Sequence, residues 1–237
     1  MARAAVAEDT TQRRILGAAL EAFAERGFDG ARTRDIAERA GANLGLLTYY
    51  FGDKEQLWKA AVTHAFDELR QELGAVTDGA QGDDQLADLE RIVRHFVRFV
   101  ARRPAFMQLM NDEGKRDGPR MRWLADTHVR PAYDLMRQRI ERAQAQGLLP
   151  PIAPVSLHYM VLGAAGLIFG QAAECRRISG VDPADAAFAD AHADAILRLI
   201  LGPRPGPGPR DKAANASTKR AGTPAAERAA LRRRSKR

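Results

Sequence analysis

An all-α fold is predicted by three features of this sequence. Ala, Leu, Arg and Glu dominate its 237 residues, whereas β-branched residues are sparse. Apolar side chains recur at three- and four-residue spacing over long stretches. Gly and Pro fall between those stretches and punctuate them. With 45% apolar residues the chain has ample material for a buried core.

Taken in order, the first helix opens at Thr11 as N-cap and carries Ile15, Leu16, Ala19, Leu20 and Phe23 on one face to a terminating Gly27. After a turn at Phe28-Asp29-Gly30, Thr33 caps a short helix over Arg34–Ala40 that Gly41 ends. Asn43 then caps another, reaching Tyr50 or Phe51. Asp53 and Gln56 form a capping box for a long helix with Leu57, Trp58, Ala61, Ala65 and Leu69 on one side, ending near Gly74. Beyond a polar break at 77–84, helices are expected at 85–102, 104–111, 119–129, 131–146, 155–178 and 184–201. Pro104 and Pro131 suit first turns, and Gly147 and Gly180 suit helix ends. From residue 203 the chain is rich in Pro, Gly, Lys and Arg and poor in large apolar side chains, so disorder is expected there. Three parts result: 1–55, 56–202 and a basic tail, 203–237.

Charge is distributed in the same way. The tail carries eleven Lys/Arg and two Asp/Glu, a net +9, and subtracting it from the total of +7 leaves −2 on residues 1–202. Residues 1–55 hold eight Lys/Arg against nine Asp/Glu. Bulk charge therefore gives no support to nucleic-acid binding outside the tail. Non-specific binding driven by that tail through counterion release is the competing reading.

Other classes are disfavoured by what the sequence contains. A single cysteine, Cys175, excludes an intrachain disulfide framework, and the N-terminal segment lacks the apolar core of a secretion signal, so a cytoplasmic location is expected. The longest apolar run, Tyr159–Gly170, is too short to cross a bilayer, and no membrane partner is expected. No phosphate loop, nucleophile elbow or dinucleotide fingerprint occurs, which argues against an enzyme and against a cofactor. His64, His95, His128, His158 and His192 are scattered without metal-ligand spacing.

Function is carried by the stretch from Arg34 to Lys54. Two helices of about two turns each cannot persist alone and must lean on the first helix. Ile36 and Ala37 would face inward from one, Leu44 and Leu47 from the other, and the Ala37-x-x-x-Gly41 junction allows a tight crossing. Such a three-helix bundle presents its last helix to the major groove. Asn43, Gly45, Leu46, Thr48, Tyr49 and Tyr50 would lie on the outer side, with Phe51 in the core.

The segments RRILGAALEAFAERGF, TRDIAERAG and TYYFGDKEQL resemble, in order and spacing, the DNA-binding domain of TetR/AcrR regulators over about residues 11–60. The resemblance implies a TetR-like fold, with an N-terminal helix-turn-helix domain followed by a larger helical ligand-binding and dimerisation domain. It also implies a transcriptional regulator, most members being repressors, that leaves a palindromic operator when a small-molecule effector binds. Thr33 would touch a phosphate, Arg34 a base or phosphate, and Lys54 the DNA backbone, while Leu46, Thr48, Tyr49 and Tyr50 take recognition-helix positions. Asn43-Leu44-Gly45-Leu46 departs from the usual Ser/Thr-rich start of that helix, which leaves few polar groups for base readout.

Residues 155–201 are the expected homodimer surface, because Gly163, Ala164, Ala165, Gly166 and Gly170 lie among larger apolar residues and permit close helix approach. The resemblance implies a four-helix bundle across a two-fold axis. PAFMQLMNDEG, GPRMRWLADTHVRPAY and HYMVLGAAGLIFGQAAE are similar to one C-terminal TetR subgroup. Met107, Met110, Trp123, Tyr133, Met136 and Tyr159 are candidates to line an effector cavity, set against the plainer reading that they are core. Cys175 would be a redox sensor only if exposed at the dimer seam.

Overall fold

The computed structural model describes residues 2–77 and 85–202, with side chains over 10–74 and 85–202. The proposed tail, 203–237, and most of the polar break lie outside the described residues. Every regular element described is helical.

Helix α1 spans Ala2–Gly30, so Thr11 sits inside it and is not its cap. Gly27 does break it: φ 66° and ψ 174° lie outside helical values and in the positive-φ region that glycine tolerates. The chain then turns, and the Ala31 amide donates to the Gly27 carbonyl at 3.2 Å. Helix α2 is Thr33–Arg39. Its N-cap is Arg32, extended at φ −103° and ψ 133°, which makes Thr33 the first helical residue and not the cap. Gly41, at φ 60°, closes α2 as expected. Helix α3 follows at Leu44–Phe51, and Gly52 at φ 74° separates it from α4, Lys54–Thr77, which passes through Gly74 unbroken.

Helix α5 is Gln85–Arg102 and α6 is Pro104–Glu113, each starting where the sequence reading put it. Helix α7, Pro119–Leu124, runs through a π-helical stretch at Ala125–Val129 into α8, Arg130–Ala145. The helix expected at 155–178 is two helices, α9 at Pro154–Gly170 and α10 at Ala172–Ser179, bent by 76°. Helix α11 is Ala186–Leu201.

Helix α1 packs on α2, α4 and α6, and α4 passes from α1 and α3 to α5. Helix α5 is central to the body, touching α4, α6, α8 and α9. Its buried face of Ile92, Val93, Val97, Phe99 and Val100 follows a helical repeat. Phe66, Phe99 and Phe106 meet edge to face, with centroids 5.1 and 5.4 Å apart. Each fully buried Phe, Ile or Leu, such as Phe23, Ile36 or Leu57, contributes about 1.5 to 3 kcal/mol. Around this core, ion pairs fix the register of neighbours: Arg103 with Glu68 at 2.8 Å joins the α5–α6 junction to α4, and Arg98 with Asp190 at 2.6 Å joins α5 to α11.

Helix α9 is two-faced. Leu157, Ala165, Gly166 and Phe169 are buried, whereas Val155, Tyr159, Met160, Gly163 and Leu167 are exposed. The run of small residues thus splits: a Cβ at Gly166 would sit 2.7 Å from Met107 Cε, but open space faces Gly163. Leu199, on α11, is 85% exposed.

Candidate nucleic-acid interface

The head of the molecule is built from α1, α2 and α3. Ile36 and Ala37 bury one side of α2, and Leu47 is the buried residue of α3. Arg39 pairs with Glu25 of α1, and that hydrogen bond is the main reason the Glu25 carboxyl lies below its ordinary value. Arg26 pairs with Asp35 across the same seam. These pairs neutralise much of the charge between α1 and α2, while Arg32 and Arg34 remain exposed at the start of α2.

Asn43 caps α3: its Oδ1 accepts from the Leu46 amide at 2.8 Å. A Cβ at Gly45 would stand 3.3 Å from the same Oδ1, so glycine there leaves room for the cap. Exposure divides α3 cleanly. Leu44, Gly45, Thr48 and Tyr49 face outward, and Leu46, Leu47, Tyr50 and Phe51 are buried or half-buried. Leu44 at 41% exposure was expected inside and is not, because it shares the outer row with Thr48 one turn later. Leu46 and Tyr50, expected outside, belong instead to the half-buried row, and so does Phe51, expected in the core. Tyr49 projects furthest, at 77% exposure, with its ring edge-on to Tyr50. The Thr48 hydroxyl donates to the Leu44 carbonyl at 3.1 Å, leaving its oxygen free to accept.

Thr33 and Arg34 occupy the first two positions of α2, Thr33 half-buried and Arg34 exposed. Lys54 opens α4, and its Nζ donates to the Asp29 carbonyl at 3.2 Å while lying 4.9 Å from the Phe28 ring centroid. The start of α4 is fixed in turn by Asp53, whose Oδ1 accepts from the Gln56 amide at 2.8 Å. Cap, turn and lysine together bring Arg34, the outer row of α3 and Lys54 into one short stretch of chain.

A profile of bacterial regulatory proteins of the tetR family matches residues 15–61, and one of tetracyclin repressor-like C-terminal domains matches residues 86–200. The chain belongs to the TetR family. It is a DNA-binding transcriptional regulator with the two-part helical fold of that family. Among its relatives, the transcriptional repressor NicS of Pseudomonas putida is 28% identical over 162 residues, covering 66% of this chain and 74% of NicS. The regulator RutR of Escherichia coli is 26% identical over 187 residues, 79% of this chain and 87% of RutR. The crystal structure of AibR in complex with isovaleryl coenzyme A and operator DNA has the same fold, with TM-score 0.65 at 19% identity over 81% of this chain and 99% of AibR. A regulator from Streptomyces coelicolor superposes with TM-score 0.58 at 26% identity over 82% of this chain and 99% of its own.

The six cavity candidates have different surroundings. Met107 is buried against Gly166. Trp123 meets Trp58 and His128 edge to face, with centroids 5.6 and 5.3 Å away. Tyr133 meets His158 edge-on, and His158 meets Tyr159, which is 66% exposed. Met110 and Met136 are half-buried.

A buried polar group that composition did not single out is His128, in the π-helical stretch. Its ring stacks flat on Phe66 at 4.7 Å. Arg70 can only donate, so Nδ1 accepts from it at 3.5 Å and Nε2 donates to the Thr63 hydroxyl at 3.1 Å. Burial, then the Arg70 charge, hold this imidazole below its ordinary pKa, with Asp67 opposing. Burial does the same at His158, and at His95 together with Arg98. Among the described residues no group of His, Cys, Asp or Glu is placed to hold a metal ion, and no single helix is long and apolar enough to cross a membrane. Cys175 is half-buried on α10, with Sγ 3.6 Å from the Ser179 hydroxyl.

Proposed function

We propose that this regulator is a dimeric, non-catalytic repressor working in the cytoplasm, which grips a palindromic operator through α3 and lets go when a small molecule binds its helical body. The outward row of α3 carries the reading. Leu44, Gly45, Thr48 and Tyr49 are offered to solvent while the opposite row is anchored, the form needed to enter a major groove. Arg34, Thr33 and Lys54 flank that row and supply phosphate or base-edge contacts, and Asn43 contributes both the cap and a spare amide. Leu46 and Tyr50 support the row from behind. The residues up to 55 form the reading head, and 56–202 sense and dimerise.

Dimerisation places two heads on successive major grooves, about 34 Å apart. The exposed faces of α9 and α11, with Tyr159, Met160, Leu167 and Leu199, are the surface for it. NicS is a transcriptional repressor, and AibR is seen with isovaleryl coenzyme A and operator DNA, which supports a DNA-binding regulator that also takes a small-molecule effector. Selection of bound sequences from random DNA by the full-length protein tests all of this: a palindrome is expected. A flat selection overturns the proposal in favour of tail-driven binding. A chain ending at residue 202 is expected to keep the operator preference with a flatter salt dependence.

A further inference from the structure

A reading head that must meet two grooves at once needs a fixed attitude on the body that carries it. One corner where head and body meet is at Phe28, in the turn that Gly27 opens between α1 and α2. Three groups converge on its ring. Phe23 stacks on it with centroids 5.9 Å apart, Lys54 Nζ lies 4.9 Å from the centroid, and Arg120 Cζ lies 4.1 Å from it. Lys54 belongs to the head's exit and Arg120 to α7, the second residue of a helix in the body.

Arg120 is not a loose surface charge. Its Nε donates to Glu113 Oε1 at 3.1 Å, and Glu113 is the last residue of α6, only 7% exposed. A carboxylate that far from water depends on its cation, so Arg120 is tied to the end of α6 on one side. Its flat face is what remains for Phe28. One turn further along α7, Trp123 meets Trp58 of α4 edge-on. Helix α7, tied to the end of α6 through Glu113, therefore meets two rings, Phe28 in the turn before α2 and Trp58 in the second turn of α4, beside the packing of α1 on α6.

We propose that Arg120 is a positioning residue for operator binding: through Phe28 and Lys54 it sets the angle at which α2 and α3 leave the body, without touching DNA. The proposal rests on the operator reading above. Arg120 reaches Phe28, and Phe28 in turn meets Lys54, whose amine holds the Asp29 carbonyl of the same turn. Thr33 and Arg34 lie just beyond that turn.

The test uses the full-length chain and the operator found by selection, with a scrambled duplex as reference and fluorescence anisotropy as readout. Arg120→Gln is expected to weaken operator binding about 3- to 30-fold while leaving the scrambled duplex unchanged. Arg120→Lys keeps a cation for Glu113 but has no flat face to lay on the ring, so it is expected to recover only part of the loss. Phe28→Leu should match Arg120→Gln, and the double variant should be no weaker than either single one. Arg122→Gln, on the exposed side of α7, should bind as the unaltered protein does. A core variant, Ile140→Val, provides a control for lost stability and is expected to keep operator affinity. Unchanged operator binding by Arg120→Gln, multiplied losses in the double variant, or an equal loss in Ile140→Val overturns the role of Arg120. A flat selection by the unaltered protein overturns the operator reading instead, so the two failures are told apart.

Discussion

Arg39 of α2 grips Glu25 of α1 with both ends of its guanidinium, Nη1 to Oε1 at 2.9 Å and Nη2 to Oε2 at 2.7 Å. Glu21 lies one turn away at 3.5 Å, so the arginine bridges two turns of α1. Such a fork orders two helices in a way that a point charge does not. Arg39→Lys is expected to lower stability by about 0.2 to 1 kcal/mol, and by less in high salt, because the pair is largely exposed. Urea unfolding at low and high salt measures it. Equal stability of the two proteins at low salt would remove the fork from any account of how α2 is held.

Leu47 and Tyr49 are two residues apart and predict opposite phenotypes. Leu47 is 3% exposed and Tyr49 77%. Leu47→Ala is expected to cost about 2 to 5 kcal/mol of stability. Tyr49→Ala should change stability by less than about 0.5 kcal/mol, yet weaken operator binding by about 1 to 3 kcal/mol. Thermal melts and anisotropy separate the two effects. Native operator affinity in Tyr49→Ala would take the outermost ring of α3 out of the interface.

Much of this was legible from spacing alone. Helix α5 begins and ends where expected because a polar segment precedes it and Pro104 follows. The α3 cap was equally plain, since Asn43 stands directly before an apolar run. Leu44 lies outside although apolar, because in a helix of eight residues each row holds only four positions, too few for one leucine's hydrophobicity to assign it to the inner row. The bend between α9 and α10 was invisible for a different reason. Gly170-Gln171 contains no proline, and Ala172–Ser179 has an ordinary helical composition, so tertiary packing fixes where α9 lies: it rests on α5, α6 and α8, with Gly166 against Met107 and His192 on the Ala164 carbonyl at 2.8 Å. The Phe28–Arg120 contact joins residues 92 positions apart, a separation at which local patterning carries no information.

His128 makes stability depend on pH. Its folded pKa is depressed, so below the unfolded value of about 6.5 the unfolded chain binds more protons and stability falls as pH drops toward the folded pKa. His95 and His158 act in the same direction. Denaturant midpoints are therefore expected to decline from pH 7 into the acid range, and His128→Phe should flatten part of that decline. An identical slope in the variant would place the acid sensitivity elsewhere.

The exposed apolar face of α9 and α11 predicts association. Leu167→Asp and Leu199→Asp are each expected to shift the protein toward monomer in sedimentation equilibrium and to abolish operator binding while leaving helix content intact. Dimers of native strength in both variants would direct the search for the interface to another face.

Helix α4 joins the head to the body as one uninterrupted rod of 24 residues. At about 1.5 Å per residue its length is about 36 Å, so a tilt of only about 5° about one end swings the other through about 3 Å. That distance is close to the rise of one base pair, about 3.4 Å. A rod of this length is a lever: a repacking of one or two side chains against its far end can slide a reading head out of register with its groove without unfolding a single turn.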